Sequence, residues 1–462
     1  MLVAGVDSST QSTKVLLCEA ADGTVVGQAS APHPAGTECD PEAWWLALQQ
    51  AGAGLLEQAA AIAVAGQQHG MVVLDGDGKV IRPALLWNDL RSAAASASLI
   101  PEFGGQAWWA AHTGSVPSAS FTVTKLRWLA EHEPANAAAV ARVLLPHDWL
   151  TWRLGAREPV TDRGDASGTG YYATPRGGWL PDLAAAALGH RPALPRVAAP
   201  AEVVGATGSG ALLAPGTGDN MAAALGLGLE AGEIAVSVGT SGTVFAVSRS
   251  ATADQSGAVA GFADATGRFL PLVCTVNAGL VLSAAARMTG TDMAGLAGRA
   301  LAAGPGAGGI TLLPYFDGER TPERPRSTGV MSGLTTSNAT PQNLARAAVE
   351  GVLASLADAA DHLAGCGVTF SKVLMIGGGA RSEALRAIAP GIFSREVDVP
   401  EPQEYVALGA ARQAAWALAG TPDPPAWPRP PGIRYRGTPQ PAIRARYAAL
   451  RDATAPWGQK ED

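Results

Sequence analysis

The sequence predicts an α/β protein made of two related halves, because the same β-hairpin pattern occurs at its start and near its middle. In the first half, apolar runs at residues 2–6 and 14–19 flank a polar loop rich in serine and threonine. In the second half, runs at residues 234–238 and 243–247 flank the loop Gly239-Thr240-Ser241-Gly242. Two β-type runs joined by a short loop are typical of a hairpin, and their recurrence indicates an internal repeat.

Helix and strand signals complete the α/β pattern. Asp40 and Pro41 suit the N-cap and the first position of a helix that the apolar spacing extends to about residue 58. A second long helix is predicted to begin after the N-cap residue Thr340 and to end near Gly365. Apolar runs are predicted to form further strands at residues 62–66, 71–75 and 373–376.

The length of the chain predicts two domains, since 462 residues exceed what one core usually supports. The boundary is predicted between residues 228 and 229, ahead of the second hairpin. Segment 420–432 is rich in proline and is predicted to be a loop. Hydrophobic residues make up 47% of the chain and charged residues 16%, which allows a sizeable core in each domain.

Charge and composition exclude several classes of protein. The net charge is −7 and no run of Lys or Arg forms a basic stripe, which argues against a nucleic-acid partner. No apolar run reaches the roughly 18 residues that span a bilayer, which argues against a membrane protein. The four cysteines lack metal-ligand spacing, so we expect them to be reduced, and we expect a cytoplasmic protein.

Three polar loops follow predicted strands, at residues 7–13, 239–242 and 377–382. Each loop is suited to direct backbone N–H groups at a phosphate. Phosphoryl transfer needs such a fixed cradle, because its catalysis depends mainly on positioning and on charge stabilisation. None of the loops matches G-x-x-x-x-G-K-[ST], so a P-loop site is excluded.

In the first loop, Asp7 ends a strand among hydroxyl side chains. Its carboxylate would suit the Mg²⁺ of a Mg–ATP complex, since Mg²⁺ prefers oxygen ligands, and Ser9, Thr10 and Thr13 would approach the phosphates. The alternative is an ordinary hairpin turn closed by an Asx hydrogen bond. The loop at residues 239–242 could likewise be an ordinary hairpin turn. The three glycines of the loop at residues 377–382 also suit a tight strand-to-helix turn. Recurrence of the loop in both halves favours phosphate binding.

Asp219 is the candidate catalytic base. It lies in the segment 215–220, directly before an Ala- and Leu-rich helical stretch. A carboxylate there could take the proton of a sugar hydroxyl while that oxygen attacks phosphorus. The alternative is a helix N-cap, for which Asp is well suited.

A polar set on loops of the first half suits a sugar, because sugars are held by several hydrogen-bonding side chains beside an aromatic face. The alternatives are a buried, satisfied histidine for His69 and core packing for Trp87. The members of the set are Gln68, His69, Trp87, Asn88, Asp89 and Arg91.

Together these motifs resemble the FGGY family of carbohydrate kinases over nearly the whole chain. Several ordered motifs spread over hundreds of residues are more specific than any one of them. The matching segments are residues 5–7 with the hydroxyl loop, 66–70, 86–91, 120–132, 218–220, 237–242, 318–322 and 377–382.

The resemblance implies an actin-like ATPase (ribonuclease H-like) fold of duplicated domains, with two lobes around a central cleft. It implies a sugar-binding lobe at residues 1–228 and a nucleotide-binding lobe at residues 229–462. It also implies ATP as phosphoryl donor, Mg²⁺ near Asp7 and Asp219 as general base. The implied sugar contacts are Gln68, His69, Trp87, Asn88, Asp219 and Asn220. The implied nucleotide contacts are Ser9, Thr10, Thr13, Lys14, Gly239, Thr240, Ser241, Gly378, Gly379, Ala380 and Ser382.

D-xylulose is the acceptor that the resemblance implies first. Ribulose, glycerol and gluconate remain alternatives within the family, and Gln68 stands where many relatives that act on D-xylulose carry methionine. An actin-like ATPase that serves as a scaffold is a further alternative, although it would need no proton acceptor at position 219. A homodimer is expected from family likeness alone.

Overall fold

The computed structural model describes residues 1–458 and divides the chain into two compact units. The second unit consists of Glu230–Val247, Leu272–Pro402 and residues 430–458. The first unit consists of Met1–Leu229, Ser248–Pro271 and Gln403–Arg429. Two segments that follow residue 229 in the chain therefore pack with the first unit.

The strands of the described chain are two to eight residues long. They are β1 (Leu2–Ser8), β2 (Ser12–Glu19), β3 (Val25–Pro32), β4 (Glu38–Cys39), β5 (Ala61–Gly66), β6 (Val72–Leu74), β7 (Ala84–Leu85), β8 (Arg142–Leu144), β9 (Val160–Thr161), β10 (Arg196–Val197), β11 (Gly205–Ala206), β12 (Leu212–Leu213), β13 (Thr217–Gly218), β14 (Gly232–Val238), β15 (Gly242–Ala246), β16 (Ala260–Ala263), β17 (Phe269–Thr275), β18 (Thr311–Leu313), β19 (Val330–Ser332), β20 (Phe370–Ile376), β21 (Val397–Pro400) and β22 (Gly432–Tyr435).

None of the helices in the described part of the chain is long and apolar enough to cross a bilayer.

The α-helices are α1 (Pro41–Gly52), α2 (Ala93–Glu102), α3 (Gly105–Thr113), α4 (Thr122–His132), α5 (Pro134–Ala139), α6 (Pro146–Leu154), α7 (Arg163–Ala166), α8 (Pro181–Leu188), α9 (Asp219–Leu227), α10 (Gly279–Met288), α11 (Met293–Ala302), α12 (Pro341–Gly365), α13 (Glu383–Phe393), α14 (Tyr405–Ala419) and α15 (Pro441–Ala453). Short 3₁₀ turns form at Leu56–Gln58, Ala307–Gly309, Gly378–Arg381 and Ala455–Gly458.

The sheet of the first unit has the strand order β11-β12-β5-β1-β2-β3, and β13 pairs with the end of β5. Strands β1 and β2 form the predicted antiparallel hairpin, with Asp7 opposite Lys14. On its other side β1 runs parallel to β5, with Ser8 opposite Gly66. The carboxyl ends of β1 and β5 therefore meet at one edge of the sheet, which is where the predicted site residues of this unit begin.

The sheet of the second unit repeats this arrangement around β14. From β17 onward its strand order is β17-β15-β14-β20-β21-β22. Strand β14 forms an antiparallel hairpin with β15, with Val238 opposite Gly242. It also runs parallel to β20, with Ser237 opposite Ile376. The predicted internal repeat is thus confirmed at the level of topology.

The two long helices begin where the capping residues predict. Asp40 Oδ1 accepts the N–H of Glu42 at 3.0 Å, and Thr340 Oγ1 accepts the N–H of Asn343 at 3.2 Å. Helix α12 also ends as predicted, whereas α1 ends at Gly52, earlier than predicted. Gly54 follows with a φ of +73°, and this left-handed residue breaks the helix, so the remaining apolar residues form only a 3₁₀ turn.

Helix α14 packs closely against β1 and α9 because small residues line both contacts. A Cβ atom on Gly5 would lie 1.9 Å from the carbonyl oxygen of Ala407. A Cβ atom on Gly409 would lie 1.8 Å from the carbonyl oxygen of Ala222. Any side chain at these glycines would push the helix away. Strand β1 carries Asp7, which is predicted to bind metal, and α9 carries Asp219, which is predicted to act in catalysis. Helix α14 therefore holds in place both elements that carry these carboxylates.

Candidate active site

Asp219 is the first residue of α9 and follows Gly218, which occupies the N-cap position. The N-cap interpretation of Asp219 is therefore wrong, because the residue lies one position inside the helix. Its Oδ1 accepts the backbone N–H of Asn220 at 2.7 Å and the side-chain amide of Asn220 at 2.9 Å. Burial raises the pKa of the Asp219 carboxyl to about 6, against the opposing effect of these two hydrogen bonds.

Asp7 lies in β1, and only 4% of it is exposed. Burial raises the pKa of its carboxyl to about 7. Lys14 lowers this pKa, while the negative charges of Asp219 and Glu404 raise it. Asp7 Oδ1 is buried without a hydrogen-bond partner in the described chain. The two predicted carboxylates are thus close enough to influence each other, and one of them presents an unsatisfied oxygen.

Lys14 is paired within the first unit. Its Nζ lies 2.6 Å from Glu404 Oε2. Glu404 directly precedes α14 and is remote from Lys14 in sequence, so the motif around residues 5–14 gave no signal of this partner. The lysine charge therefore lies beside both Asp7 and Glu404, where it offsets part of the local negative charge.

The hydroxyl loop after β1 is closed by its own hydrogen bonds and by a histidine that sequence reasoning missed. Ser9 Oγ donates to the carbonyl oxygen of Ser12 at 3.0 Å. His33 Nδ1 lies 2.9 Å from the carbonyl oxygen of Ser9, and His33 Nε2 lies 2.8 Å from Thr13 Oγ1. Thr13 is fully buried, so its hydroxyl supports the loop from behind. Ser9 and Thr10 are partly exposed at the tip.

Trp87 joins the hydroxyl loop to the predicted sugar residues. The indole is 39% exposed, so the core-packing interpretation is wrong. Its Nε1 donates to Thr10 Oγ1 at 2.8 Å, and Thr10 Oγ1 in turn donates to Gln67 Oε1 at 3.3 Å. Gln67 is a further residue that sequence reasoning did not assign, although it lies inside the motif 66–70. Asn88 follows Trp87, and its buried Oδ1 has no hydrogen-bond partner within residues 1–458.

Gln68 lies beside the candidate base. Its Oε1 accepts the side-chain amide of Asn220 at 3.0 Å. Its Nε2 is buried and has no hydrogen-bond partner in the part of the chain that the structure describes. Buried polar atoms are normally hydrogen-bonded, so this donor fits the hydroxyl of a ligand.

His69 has a φ of +68°, a backbone conformation that residues other than glycine rarely adopt. The ring packs against Phe121, with 4.7 Å between the ring centroids. Its Nδ1 lies 2.6 Å from the carbonyl oxygen of Gly168. Because a carbonyl only accepts, Nδ1 carries the proton and Nε2 is an acceptor. His69 is thus buried as one interpretation predicted, with a fixed tautomer.

Asp89 and Arg91, the other members of the polar set, are hydrogen-bonded to each other, and Asp89 is also bonded to Thr37. Asp89 accepts the backbone N–H of Arg91 at 3.0 Å and its Nε at 2.8 Å. Asp89 also accepts the hydroxyl of Thr37 at 2.7 Å. These bonds fix the loop that carries Trp87 and Asn88.

The second unit brings its two glycine loops together at the ends of adjacent strands. Gly239 and Thr240 are exposed after β14, and Ser241 is half-buried. Gly377 has a φ of +85°, and a Cβ atom on it would lie 2.8 Å from the carbonyl oxygen of Val238. The glycines of the loop 377–382 therefore pack directly on the end of β14. Gly378 is exposed, Gly379 and Ser382 are half-buried, and Ala380 is buried.

A cavity of about 380 Å³ lies beside these loops, on the face of α10. Helix α10 is tied to the first of them, because Gly279 N–H donates to the carbonyl oxygen of Gly239 at 2.9 Å. The residues that line the cavity are Leu280, Ala284, Arg287, Phe316, Asp317 and Gly329. Sequence reasoning missed this cavity, since an Ala- and Leu-rich helix gives no signal of a ligand.

Glu319 supports the start of α10. Its side chain is buried and accepts the N–H of Val276 at 2.6 Å and the side-chain amide of Asn277 at 3.0 Å. Burial raises the pKa of this carboxyl, while these hydrogen bonds lower it. The motif 318–322 thus has a structural role next to the cavity and the glycine loops.

Comparison with known proteins identifies the family. Residues 2–227 match the N-terminal domain and residues 234–418 the C-terminal domain of the FGGY family of carbohydrate kinases. The xylulose kinase of Streptomyces coelicolor is 48% identical over 435 residues, which are 91% of this chain and 88% of that protein. The xylulose kinase of Streptomyces rubiginosus is 49% identical over 440 residues, with the same coverage of each chain.

Solved structures agree with this assignment. The crystal structure of xylulose kinase from Bifidobacterium adolescentis has a TM-score of 0.91 and 44% identity, covering 98% of this chain and 99% of that one. Plasmodium falciparum glycerol kinase with ADP has a TM-score of 0.85 at 17% identity, covering 100% of this chain and 99% of that one, and shares the fold. The predicted actin-like ATPase fold is confirmed. The chain belongs to the FGGY family of carbohydrate kinases.

Proposed function

We propose that this chain transfers the γ-phosphoryl group of ATP to a hydroxyl of D-xylulose and forms D-xylulose 5-phosphate and ADP, with Asp219 as general base. The observation that carries the proposal is the desolvated Asp219 carboxyl at the end of β13, beside Gln68, Asn220 and Asp7. Within residues 1–458, the hydrogen bonds to the Asp219 carboxyl come from Asn220, and this leaves Oδ2 for a chemical role.

Asp219 would act through Oδ2, because Asn220 donates twice to Oδ1. The pKa of about 6 leaves the carboxylate ionised at neutral pH. Oδ2 would take the proton of the sugar hydroxyl as that oxygen bonds to the γ-phosphorus. The bond from the γ-phosphorus to the bridging oxygen breaks, and ADP leaves with the electron pair. A base with a pKa near the working pH is effective in such a step.

The sugar would lie among side chains that have unused hydrogen-bonding capacity. Gln68 Nε2 is a buried donor and Asn88 Oδ1 a buried acceptor, and neither has a partner in the described structure. A sugar hydroxyl both donates and accepts, so it suits either atom. His69 and the exposed face of Trp87 would complete a site for a polyhydroxylated ligand.

ATP would be held by backbone groups of the glycine loops. Gly239, Thr240 and Ser241 would contact phosphates, and Gly378, Gly379, Ala380 and Ser382 would lie near the adenosine. The cavity on α10 has room for a base or a ribose and adjoins the first of these loops. In the first unit, the exposed tip at Ser9 and Thr10 would contact phosphate as well, with Lys14 nearby and Thr13 supporting the loop from behind.

Mg²⁺ would bind at Asp7. The unsatisfied Oδ1 fits a cation, since an ionised carboxylate oxygen buried without a partner is otherwise unfavourable. Residues 1–458 contain no group of three or more His, Cys, Asp or Glu side chains placed to hold a metal. A single carboxylate nevertheless suits Mg²⁺, which retains several waters and takes oxygens from the substrate phosphates. When bound, the ion neutralises charge that develops on the phosphates.

Support for D-xylulose as the acceptor comes from the Streptomyces relatives, which are named xylulose kinases. ADP release measured with purified protein, ATP and Mg²⁺ tests the proposal, with D-xylulose, D-ribulose, glycerol and D-gluconate compared side by side. We expect D-xylulose to give the highest kcat/KM. Preference for another of these sugars would reassign the substrate, and absence of any sugar-dependent ADP release would reject kinase activity.

A cytoplasmic location and a homodimer are also proposed. The four cysteines carry no disulfide in the described structure, which fits a reducing compartment. The dimer rests on family likeness, and sedimentation equilibrium of the purified protein tests it directly.

A further inference from the structure

A buried polar cluster lies beneath the candidate base, and the proposed reaction does not use it. His147 Nε2 lies 3.2 Å from Asp148 Oδ1, 3.3 Å from Asp165 Oδ2 and 3.7 Å from Asp162 Oδ1. All four side chains are 3% exposed or less. Three carboxylates around one imidazole with no access to water are costly unless they hold protons or receive hydrogen bonds.

Within the cluster, Asp162 receives three hydrogen bonds, and Asp148 Oδ2 receives one from the backbone N–H of Leu145 at 2.8 Å. Asp162 Oδ2 accepts the hydroxyl of Thr217 at 2.7 Å and the N–H of Gly164 at 2.9 Å, and its Oδ1 accepts the N–H of Asp165 at 2.8 Å. Burial raises the pKa of Asp148 and Asp165 well above the usual range and lowers that of His147 to about 3. Asp162 thus accepts the Thr217 hydroxyl together with two backbone N–H groups of the segment that follows it.

Thr217 stands two residues before Asp219, in the short strand β13. Its pairing places Thr217 opposite Ala65 and Gly218 opposite Gly66 in β5. The strand has only these two residues, so backbone pairing alone fixes it weakly. The hydrogen bond from the Thr217 side chain is a further restraint on the chain immediately before α9.

His147 packs between the two strand ends that carry the site. A Cβ atom on Gly66 would lie 2.9 Å from the backbone nitrogen of His147. A Cβ atom on Gly216 would lie 2.8 Å from His147 Nδ1. The histidine therefore fills the space behind both the end of β5 at Gly66, which leads to the sugar residues, and Gly216, which directly precedes β13 and leads to Asp219.

We propose that the Asp162–Thr217 hydrogen bond, backed by His147, positions Asp219 for catalysis. Asp162 and Thr217 are positioning residues in this scheme, since neither reaches the reacting atoms. The proposal rests on the proposed role of Asp219 as general base. Helix α14 holds α9, but the chain immediately before Asp219 is held by the two-residue strand β13 and by the Thr217 hydrogen bond. Without that bond the base would sample positions around the productive one, and displacement by about 1 Å can cost on the order of 100-fold in rate.

The test compares Thr217→Val with Thr217→Ser in the full chain, measuring kcat, both KM values and Tm. Valine keeps the shape of threonine but removes the hydroxyl, whereas serine keeps the hydroxyl. We expect Thr217→Val to lower kcat by roughly 10- to 100-fold with an unchanged KM for ATP, and Thr217→Ser to restore kcat to within about threefold of wild type. Thr113→Val is the matched control, because Thr113 is also buried and donates to the carbonyl oxygens of Trp109 and Ser115. It should lower Tm without lowering kcat.

The decisive measurement is the double variant Thr217→Val/Asp219→Asn. If Thr217 acts through Asp219, valine should change kcat by less than about twofold once the base is absent, because effects that act through one group are not additive. An additive loss, a wild-type kcat in Thr217→Val, or failure of serine to restore kcat would overturn the proposal. If Thr217→Val does not fold, Thr217→Ala replaces it in the same comparison. An active Asp219→Asn enzyme would instead reject the base itself, which separates the two claims.

Discussion

The side-chain amide of Asn220 donates to Asp219 Oδ1 at 2.9 Å and to Gln68 Oε1 at 3.0 Å. One residue thus couples the proposed base to a proposed sugar contact. The bond to Oε1 also fixes the orientation of the Gln68 amide, so that its Nε2 is the group presented for a further bond. Changes at Asn220 should therefore affect both proton transfer and sugar binding.

Replacing Asn220 by Ala removes the side-chain donor and keeps the backbone N–H. A hydrogen bond donated to a carboxylate stabilises its charged form, so its loss should raise the pKa of Asp219 above about 6. We expect the acidic limb of the pH profile of kcat/KM to move to higher pH. At pH 8 we expect kcat/KM for D-xylulose to fall by about tenfold or more, as hydrogen bonds to charged groups are worth about 1.5–3 kcal/mol.

Asn136→Ala is the matched control, because Asn136 also donates its amide to a carboxylate, that of Glu133, at 2.7 Å. The pH profile of kcat/KM of Asn136→Ala should coincide with that of the wild type. An acidic limb of the kcat/KM profile that stays at the wild-type pH in Asn220→Ala would contradict the role assigned to the Asn220 side-chain amide.

Asp7 should lower the stability of the protein at neutral pH. Its pKa is about 7 in the folded chain against an ordinary value of 3.8, so the folded state binds the proton more tightly. Stability is then lost as pH rises through this window, by up to roughly 1.4 kcal/mol per pH unit. Asp7→Asn cannot ionise. We expect its Tm, without nucleotide or metal, to exceed that of the wild type at pH 8, and the difference to shrink as pH falls towards 4.

Exposed Asp77 provides the control for this experiment, since Asp77→Asn should show no pH-dependent difference in Tm. The Asp7→Asn variant should also lose kinase activity if Asp7 holds Mg²⁺. A Tm difference between Asp7→Asn and wild type that is the same at every pH would show that burial does not perturb this carboxyl.

The glycine loop after β20 can be tested through Gly377. Alanine at this position would adopt a left-handed conformation and would also contact the carbonyl oxygen of Val238. The conformational cost alone is roughly 1–2 kcal/mol. We expect Gly377→Ala to raise KM for ATP by about tenfold while KM for D-xylulose changes little. Gly298→Ala in α11 is the control, because no atom lies within 4 Å of its Cβ position. Equal KM values for ATP in both variants would argue against this loop as a nucleotide contact.

The cavity on α10 offers a separate test of nucleotide binding. Phenylalanine in place of Ala284 would occupy part of the volume of about 380 Å³. We expect Ala284→Phe to raise KM for ATP by about tenfold or more, with Tm and KM for D-xylulose near wild type. Met288→Phe lies at the exposed end of the same helix and serves as control. Unchanged ATP affinity in Ala284→Phe would place the nucleotide elsewhere.

Much of the fold could be predicted because local signals and tertiary structure agree. Asp40 and Thr340 cap the helices that follow them, and both hairpins form where the two apolar runs flank polar loops. Helix α15 was not predicted, since the proline-rich segment 420–432 before it indicated only a loop. The return of α14 to the first unit was not predicted either, because close packing at Gly5 and Gly409 depends on residues far apart in the chain.

The site could be predicted in part for the same reason. Asp7, Asp219 and Gln68 lie in contiguous motifs at strand ends, and such motifs are visible in a sequence. His33 and Glu404 could not be found this way, because each meets its partner only through tertiary contacts. The buried cluster around His147 gave no signal, since single Asp and His residues in a sequence do not reveal a shared interior position.

The central claim is that Asp219 removes the proton from the acceptor hydroxyl, and steady-state kinetics of Asp219→Asn test it most directly. Asparagine keeps the shape of the side chain but accepts no proton. We predict that kcat falls by roughly 10²- to 10⁴-fold, while D-xylulose binding measured by calorimetry stays within a few-fold of wild type and Asp77→Asn retains full activity. A kcat for Asp219→Asn within about threefold of wild type would contradict the account.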